Sequence, residues 1–319
     1  MELSTKEVDH EDTFVDSYIK FGLQVTDAPV EFHQFLALGT LAGYLGNKVY
    51  LPYGDDNLYP NLWLCLLARS SAFRKSTALR ISKKILRNVT PDTILPNDFS
   101  QEAFYKTLSS GIGYGTLYID EFAKLKGLLD REYNIGLKGF LTELFDGLIG
   151  HKRKLTNVEY IMPDNTIINL FTSSTIDWLL ETIKESDILG GLLPRFTMVP
   201  VYKKAQTYAM PPAVLGSAKD GLYNHLYALN HIKGPMMLSA EAKALYDKWY
   251  YEFEPKYCYG RWGAYYTRLA TTCLKFSILY AINNTKSQKI NDLAMGRAIR
   301  LTDILAQKFA EIMEDELVL

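Results

Sequence analysis

Two hydrophobic periods organise this chain. Unbroken apolar runs at 62–68 and 116–119, each bounded by polar residues, have the pattern of strands covered on both faces. Apolar residues spaced three and four apart over 13–24, 30–45, 75–87, 137–148 and 175–185 predict helices. Asp27-Ala28-Pro29 divides the first two, and Ser100 caps a further helix that ends near Gly111. Shorter strands are expected at 48–52, 93–96, 155–160, 166–172 and 195–202, with a polar turn at Gly54-Asp55-Asp56-Asn57. The 155–160 and 166–172 segments are expected to pair around Pro163-Asp164-Asn165. Strands alternate with helices this far, which predicts a three-layer α/β fold around a parallel sheet. Beyond Pro211-Pro212 the pattern becomes helical, over 217–232, 239–253, 262–283 and 290–317. The expected organisation is an N-terminal helical segment (1–59) packing on a core, an α/β core (60–211) and a helical C-terminal region (212–319). Residues 1–12 are expected to be a solvated tail.

Composition narrows the class. The chain has 319 residues, 48% hydrophobic and 22% charged, as in ordinary globular proteins. A net charge of -1 provides no global attraction for nucleic acid, so any such binding needs local patches. Cys65, Cys258 and Cys273 are odd in number and far apart, which argues against a disulfide framework and for a reducing, cytoplasmic compartment. The five histidines lack metal-ligand spacing. The start, MELSTKEVDHEDTF, is acidic and does not read as a signal peptide, and no apolar run reaches the ~18 residues of a membrane span.

The chemistry concentrates after the first apolar strand. Arg69, Ser70, Ser71, Ala72, Phe73, Arg74, Lys75 and Ser76 occupy the frame of a phosphate-binding loop, G-x-x-x-x-G-K-[ST], with Thr77 following. Lysine and hydroxyl are in place; both glycines are arginines. Glycine permits positive φ and close approach to phosphate, so an arginine there needs another backbone path or points outward, and it can also add charge beside the phosphates. The competing reading is a strand followed by a solvated basic helix. About 45 residues later, Leu117-Tyr118-Ile119 ends in Asp120-Glu121, a carboxylate pair at the C-terminal end of a strand, where open α/β sheets bind ligands. Asp120 is a candidate for Mg²⁺ and Glu121 for polarising a water; an acidic turn is the alternative. Together the two runs make nucleotide binding the leading expectation. A third strand ends in Thr172-Ser173-Ser174, which can place a polar side chain such as Ser173 between the first two strands or cap the next helix.

Gly190-Gly191-Leu192-Leu193-Pro194-Arg195 delivers one arginine to a strand entrance, as a candidate for stabilising charge on a γ-phosphate of its own or a neighbouring subunit, or as a surface ion pair. Gly150-His151-Lys152-Arg153-Lys154 is a basic cluster suited to a phosphate backbone or to a solvated turn. Aromatic residues from Tyr246 to Tyr266, interleaved with Lys256 and Arg261, fit either base stacking or helix packing. Arg268 opens a long apolar helix and is a further candidate for the nucleotide or for a salt bridge.

The order TDAPVEFHQFLAL, YPNLWLCLLARSSAFRKSTAL, GTLYIDEFAKL, LTELFDG, GGLLPRF and YYTRLATTCLKFSILYAI resembles the YfjI-like family of P-loop proteins, common in phages, plasmids and genomic islands beside or fused to a primase–polymerase. The resemblance runs from about Asp27 to Leu305, and its RKST, IDEF and GGLLPRF segments are the most specific. It implies a RecA-like P-loop NTPase three-layer sandwich related to replicative helicases. Lys75 and Ser76 would then act on phosphate and Mg²⁺, Asp120 and Glu121 on metal and water, and Arg195 as an arginine finger across a subunit interface. The expected function is a Mg²⁺-dependent ATPase and helicase-type motor acting on nucleic acid, single-stranded DNA first, in replication of a mobile element. A homo-oligomer, a possible primase–polymerase partner and no membrane complete that expectation. The alternative is an ATP-binding regulatory or assembly protein with weak or no hydrolysis.

Overall fold

The computed structural model describes residues 13–154, 158–183, 187–188, 190–212 and 217–315. The tail expected over 1–12 lies outside them, as do parts of the segments expected at 155–160 and 175–185. Helices α1 (Phe14–Val25) and α2 (Val30–Leu45) lead into strands β1 (Val49–Tyr53), β2 (Asp56–Leu58) and β3 (Trp63–Leu67). Next come α3 (Lys75–Val89), α4 (Gln101–Ser109), β4 (Tyr114–Ile119), α5 (Phe122–Leu129), α6 (Leu137–Asp146), β5 (Lys152–Lys154), β6 (Glu159–Ile161), β7 (Ile167–Ser174), α7 (Ile176–Thr182) and β8 (Phe196–Pro200). The remainder is α8 (Ser217–Tyr227), β9 (Gly234–Pro235), β10 (Met237–Leu238), α9 (Ala240–Tyr257), α10 (Gly263–Thr285), β11 (Lys289–Ile290) and α11 (Asp292–Asp315).

The central sheet is parallel, in the order β4-β7-β3-β8. Trp63 aligns with Leu170 and Phe196, and Leu67 with Ser174 and Pro200, so all four strands end at one edge. Every residue of β3, β7 and β8 is buried, which explains their lack of polar alternation. The α2 and α3 helices cover one face. Gly39 of α2 approaches the sheet so closely that an added Cβ would lie 2.8 Å from Phe171 and 2.9 Å from Leu64. Ser82 of α3 meets the Tyr118 hydroxyl at 2.7 Å. The other face carries α5 and α6, through Phe122 against Phe196 and Phe145 against Trp63. This is a mixed α/β architecture with a three-layered core. The C-terminal helices share its apolar interior: Phe276 of α10 packs on Phe35 of α2, and Phe309 of α11 stacks on Tyr265.

Two expectations change, and two elements, β2 and α5, are added. The 166–172 segment does not form a hairpin with 155–160; β7 lies in the middle of the parallel sheet, and the basic segment β5 pairs antiparallel with β6 instead. The reason is burial: β7 must be covered on both faces, whereas β5 is fully exposed. The strand expected at 93–96 reduces to one parallel bridge, Ile94 to Thr116, after a 3-10 turn. The turn at 54–57 opens into the β1–β2 hairpin, and α5 was not anticipated. Among the described residues no helix is long and apolar enough to cross a membrane.

Candidate functional site

Between β3 and α3 the chain turns through two non-glycine residues in the left-handed region, Ser71 (φ 58°) and Arg74 (φ 52°). Arg74 therefore supplies the positive φ for which glycine is the usual choice, immediately before Lys75. Its side chain is half-exposed, and its Nε donates to Oδ1 of Asp27 at 3.2 Å. Asp27, at the α1–α2 junction, is buried at 1% exposure and also accepts from Lys204 Nζ and from the Tyr208 backbone N–H at 3.4 Å. Arg74 takes neither a different backbone path nor an outward one: it adopts the positive φ a glycine would, and its side chain lies at the cavity wall, paired with Asp27. Arg69 is exposed, and Phe73 is buried in the core. Helix α3 starts without a side-chain cap, so its first N–H groups and positive dipole end face the loop.

A cavity of about 570 Å³ opens there, lined by Ser70, Ser71, Arg74, Lys75, Ser76 and Thr77 on one side. Glu121, Ser173, Ser174, Thr175 and Trp178 line it across the sheet edge. Lys75 Nζ donates to the carbonyls of Ala68 (2.7 Å) and Arg69 (3.0 Å), which folds the amine back over the end of β3. Burial lowers the Lys75 pKa below the ordinary lysine value, while Cys65 and Glu121 partly oppose that shift. Ser173 Oγ donates to the Asp120 carbonyl at 2.6 Å, tying the end of β7 to the end of β4. Asp120 itself is exposed and does not line the cavity, so of the expected acidic pair only Glu121 faces Lys75. Thr175 caps α7 through the Trp178 N–H and also lines the cavity, next to Ser173 and Ser174. Ala72 and Phe73 belong to the loop but not to the cavity wall.

Arg195 and Arg268 are not brought to this cavity within the chain. Arg195 precedes β8 and lies at the N-terminal edge of the sheet, about 16 Å of strand rise from the edge where the cavity opens. It donates to Asp146 and to the Gly191 carbonyl, and Arg268 donates to the other oxygen of Asp146 at 2.7 Å. Beside them, Lys275 of α10 is buried and donates to the Asn61 carbonyl (3.1 Å) and to Asn61 Oδ1 (2.8 Å). Its amine sits 3.9 Å from the Phe145 ring centre. The sequence pass did not single out Asp27, Asn61, Asp146 or Lys275 for these contacts. Asp27 carried only a helix-start signal, and the other three have partners 49 to 214 residues away.

The aromatic stretch resolves mainly as packing. Trp249, Phe253, Tyr265 and Tyr266 are buried, Tyr257 stacks on Tyr266, and Trp249 Nε1 donates to Asp303. Only Tyr251 and Tyr259 of that set are strongly exposed. The β5–β6 hairpin presents Lys152, Arg153 and Lys154 to solvent, with Arg153 over the Tyr105 ring.

A scan of the chain against protein-family models and a search of curated proteins found no match. Among the described residues no three or more His, Cys, Asp or Glu side chains converge to hold a metal by themselves. The donor set suits a nucleotide with Mg²⁺, an ion usually held by one or two carboxylates together with phosphate oxygens. A lysine, an arginine, four hydroxyl residues and an open helix start face one carboxylate. The volume also lies within the range of small-molecule sites.

Proposed function

We propose that this chain is a Mg²⁺-dependent ATPase with a RecA-like P-loop core, of the YfjI-like type, acting on nucleic acid in the replication of a mobile element. The observation that carries the reading is one cavity walled by Lys75 at the start of α3 and Glu121 at the end of β4, with β7 between their strands. In this reading Lys75, Arg74 and the α3 N-terminus hold the phosphates. Ser76 would hold Mg²⁺, which when bound neutralises charge on the phosphate oxygens. Glu121 orients a water and accepts its proton, and Ser173 keeps the β4 end in register through the Asp120 carbonyl. Asp120 would reach the metal only through water. Arg195, held at the opposite end of the sheet, could serve only a neighbouring copy's triphosphate, which implies a head-to-tail ring or filament. The exposed strand of Lys152, Arg153 and Lys154 supports nucleic acid as the partner, since clustered exposed basic groups attract phosphates.

The experiment is ATP turnover with and without single-stranded DNA. Lys75→Ala is expected to lose ATP binding. Glu121→Gln is expected to keep binding and to lose turnover by about 10²- to 10⁴-fold. Parent-like turnover in both variants would remove the site. A second reading, an ATP-binding regulator with weak or no hydrolysis, draws on the absence of Asp120 from the cavity wall. Tight ATP binding without DNA-stimulated turnover would favour it.

A further inference from the structure

The geometry points to Asp27 as a positioning residue that holds the phosphate loop in its left-handed turn at Arg74, doing through an ion pair what glycine does by lacking a side chain. The inference rests on reading the Lys75 cavity as a nucleotide site. Arg74 has φ 52° and ψ 32°. For a residue with a Cβ this conformation is unfavourable and persists where surrounding contacts fix it. An ion pair and two helix hydrogen bonds supply those contacts. Arg74 Nε donates to Asp27, and the backbone carbonyl of Arg74 accepts the N–H groups of Thr77 and Ala78 at the start of α3.

Asp27 is anchored for the task. Burial alone would raise its pKa; bonds from Lys204, the Tyr208 N–H and Arg74 outweigh that and keep it below the usual carboxylate range. The 204–208 segment is in turn fastened to the end of α1. Gln206 Nε2 donates to the Leu23 and Thr26 carbonyls, and the Tyr208 hydroxyl donates to the Leu23 carbonyl at 2.7 Å. The segment follows β8, whose neighbour β3 feeds the loop, and the Val201 N–H donates to the Leu67 carbonyl. A buried carboxylate from the N-terminal helices, itself held by the 204–208 segment, thus fixes the residue preceding the lysine. Arg74 also lines the cavity, so one guanidinium joins the anchor to the ligand wall.

The test is a double-mutant cycle read by calorimetric titration of the full chain with Mg·ATP, with thermal unfolding followed in parallel. Asp27→Asn is expected to weaken ATP binding about tenfold, equivalent to about 1.4 kcal/mol. In the Arg74→Gly background the same change is expected to alter affinity by less than about twofold, because glycine holds positive φ unaided. Melting temperature should fall with Asp27→Asn in both backgrounds, since Lys204 loses its partner in each; a merely structural role would make affinity follow melting temperature instead. If Asp27→Asn does not fold, Arg74→Met against Arg74→Gly decides: both lose the guanidinium and its phosphate contact, and the glycine variant should bind about tenfold more tightly than the methionine one. Equal affinities in that pair, or a tenfold loss from Asp27→Asn in both backgrounds, would overturn the proposal. Parent-like binding by Asp27→Asn would do the same. Absence of ATP binding by the parent chain would instead remove the nucleotide reading, and this inference with it.

Discussion

Replacing Lys275 by Met isolates the cost of one buried charge. Burial presses the Lys275 amine from the ordinary 10.5 down to about 7; Asp146 resists the shift, and Arg268 and Arg195 add to it. The unfolded chain therefore carries more protons than the folded one between pH 7 and pH 10.5, so stability rises with pH across that window. The same linkage gives a cost of about 4 kcal/mol at pH 7 and about 2 kcal/mol at pH 9, with little change below pH 6. Met cannot titrate. It leaves the Asn61 oxygens without the amine, a loss of about 1–3 kcal/mol that is the same at every pH. Urea denaturation of parent and Lys275→Met from pH 5 to pH 9 separates the two terms, because other titrating groups cancel in the difference. The difference should move toward the parent by about 2 kcal/mol from pH 7 to pH 9 and stay level from pH 5 to pH 6. Parallel stability curves throughout would show an amine of ordinary pKa and refute the reasoning.

His33 of α2 is fully buried, with both ring nitrogens lacking partners, and burial lowers its pKa from 6.5 to about 4. The unfolded state takes up the proton first, so stability should fall by about 3 kcal/mol as pH drops from 6.5 to 4. NMR titration of the His33 ring should show no protonation above pH 5; an ordinary midpoint would count against its burial. Gly39→Ala should cost about 1–3 kcal/mol by overpacking against Phe171 and Leu64, read as a lower urea midpoint. An unchanged midpoint would contradict the close seating of α2 on the sheet. In the monomeric chain Arg195→Ala should change ATP affinity by less than about twofold, because its guanidinium sits at the far edge of the sheet; a tenfold loss in the monomer would place it in its own chain's cavity.

Local pattern carried much of the fold. The apolar run that became β3, the helix start at Lys75 and the strand ending at Glu121 are each decided by neighbours in sequence, and they emerge close to where they were expected. Position within the sheet was less legible. Pro163-Asp164-Asn165 is good turn chemistry, and it does precede β7, but a turn does not say whether the strand after it returns to its predecessor or inserts between two distant strands. Burial of all eight β7 residues decided that, and burial is a property of the assembled layers. The site divides similarly. Ser76 and Glu121 follow from motif spacing, whereas Arg74's partner lies 47 residues upstream and Arg195's lies 49 residues upstream. An arginine's sequence neighbourhood does not reveal which acid it will meet.

The insertion of β7 between β3 and β4 has an electrostatic consequence. Two strand spacings, about 9–10 Å, separate the strand that feeds Lys75 from the one that leads to Glu121, and Glu121 offsets only part of the effect of burying the amine. A bare anion drawn to the ammonium would feel the opposing carboxylate, and a bare cation would meet the reverse. A guest carrying both signs in sequence, as a polyphosphate tail does with its divalent counter-ion, fills the gap with each charge beside its opposite. Uptake of the ion and of the tail should then be thermodynamically coupled, each raising the affinity for the other.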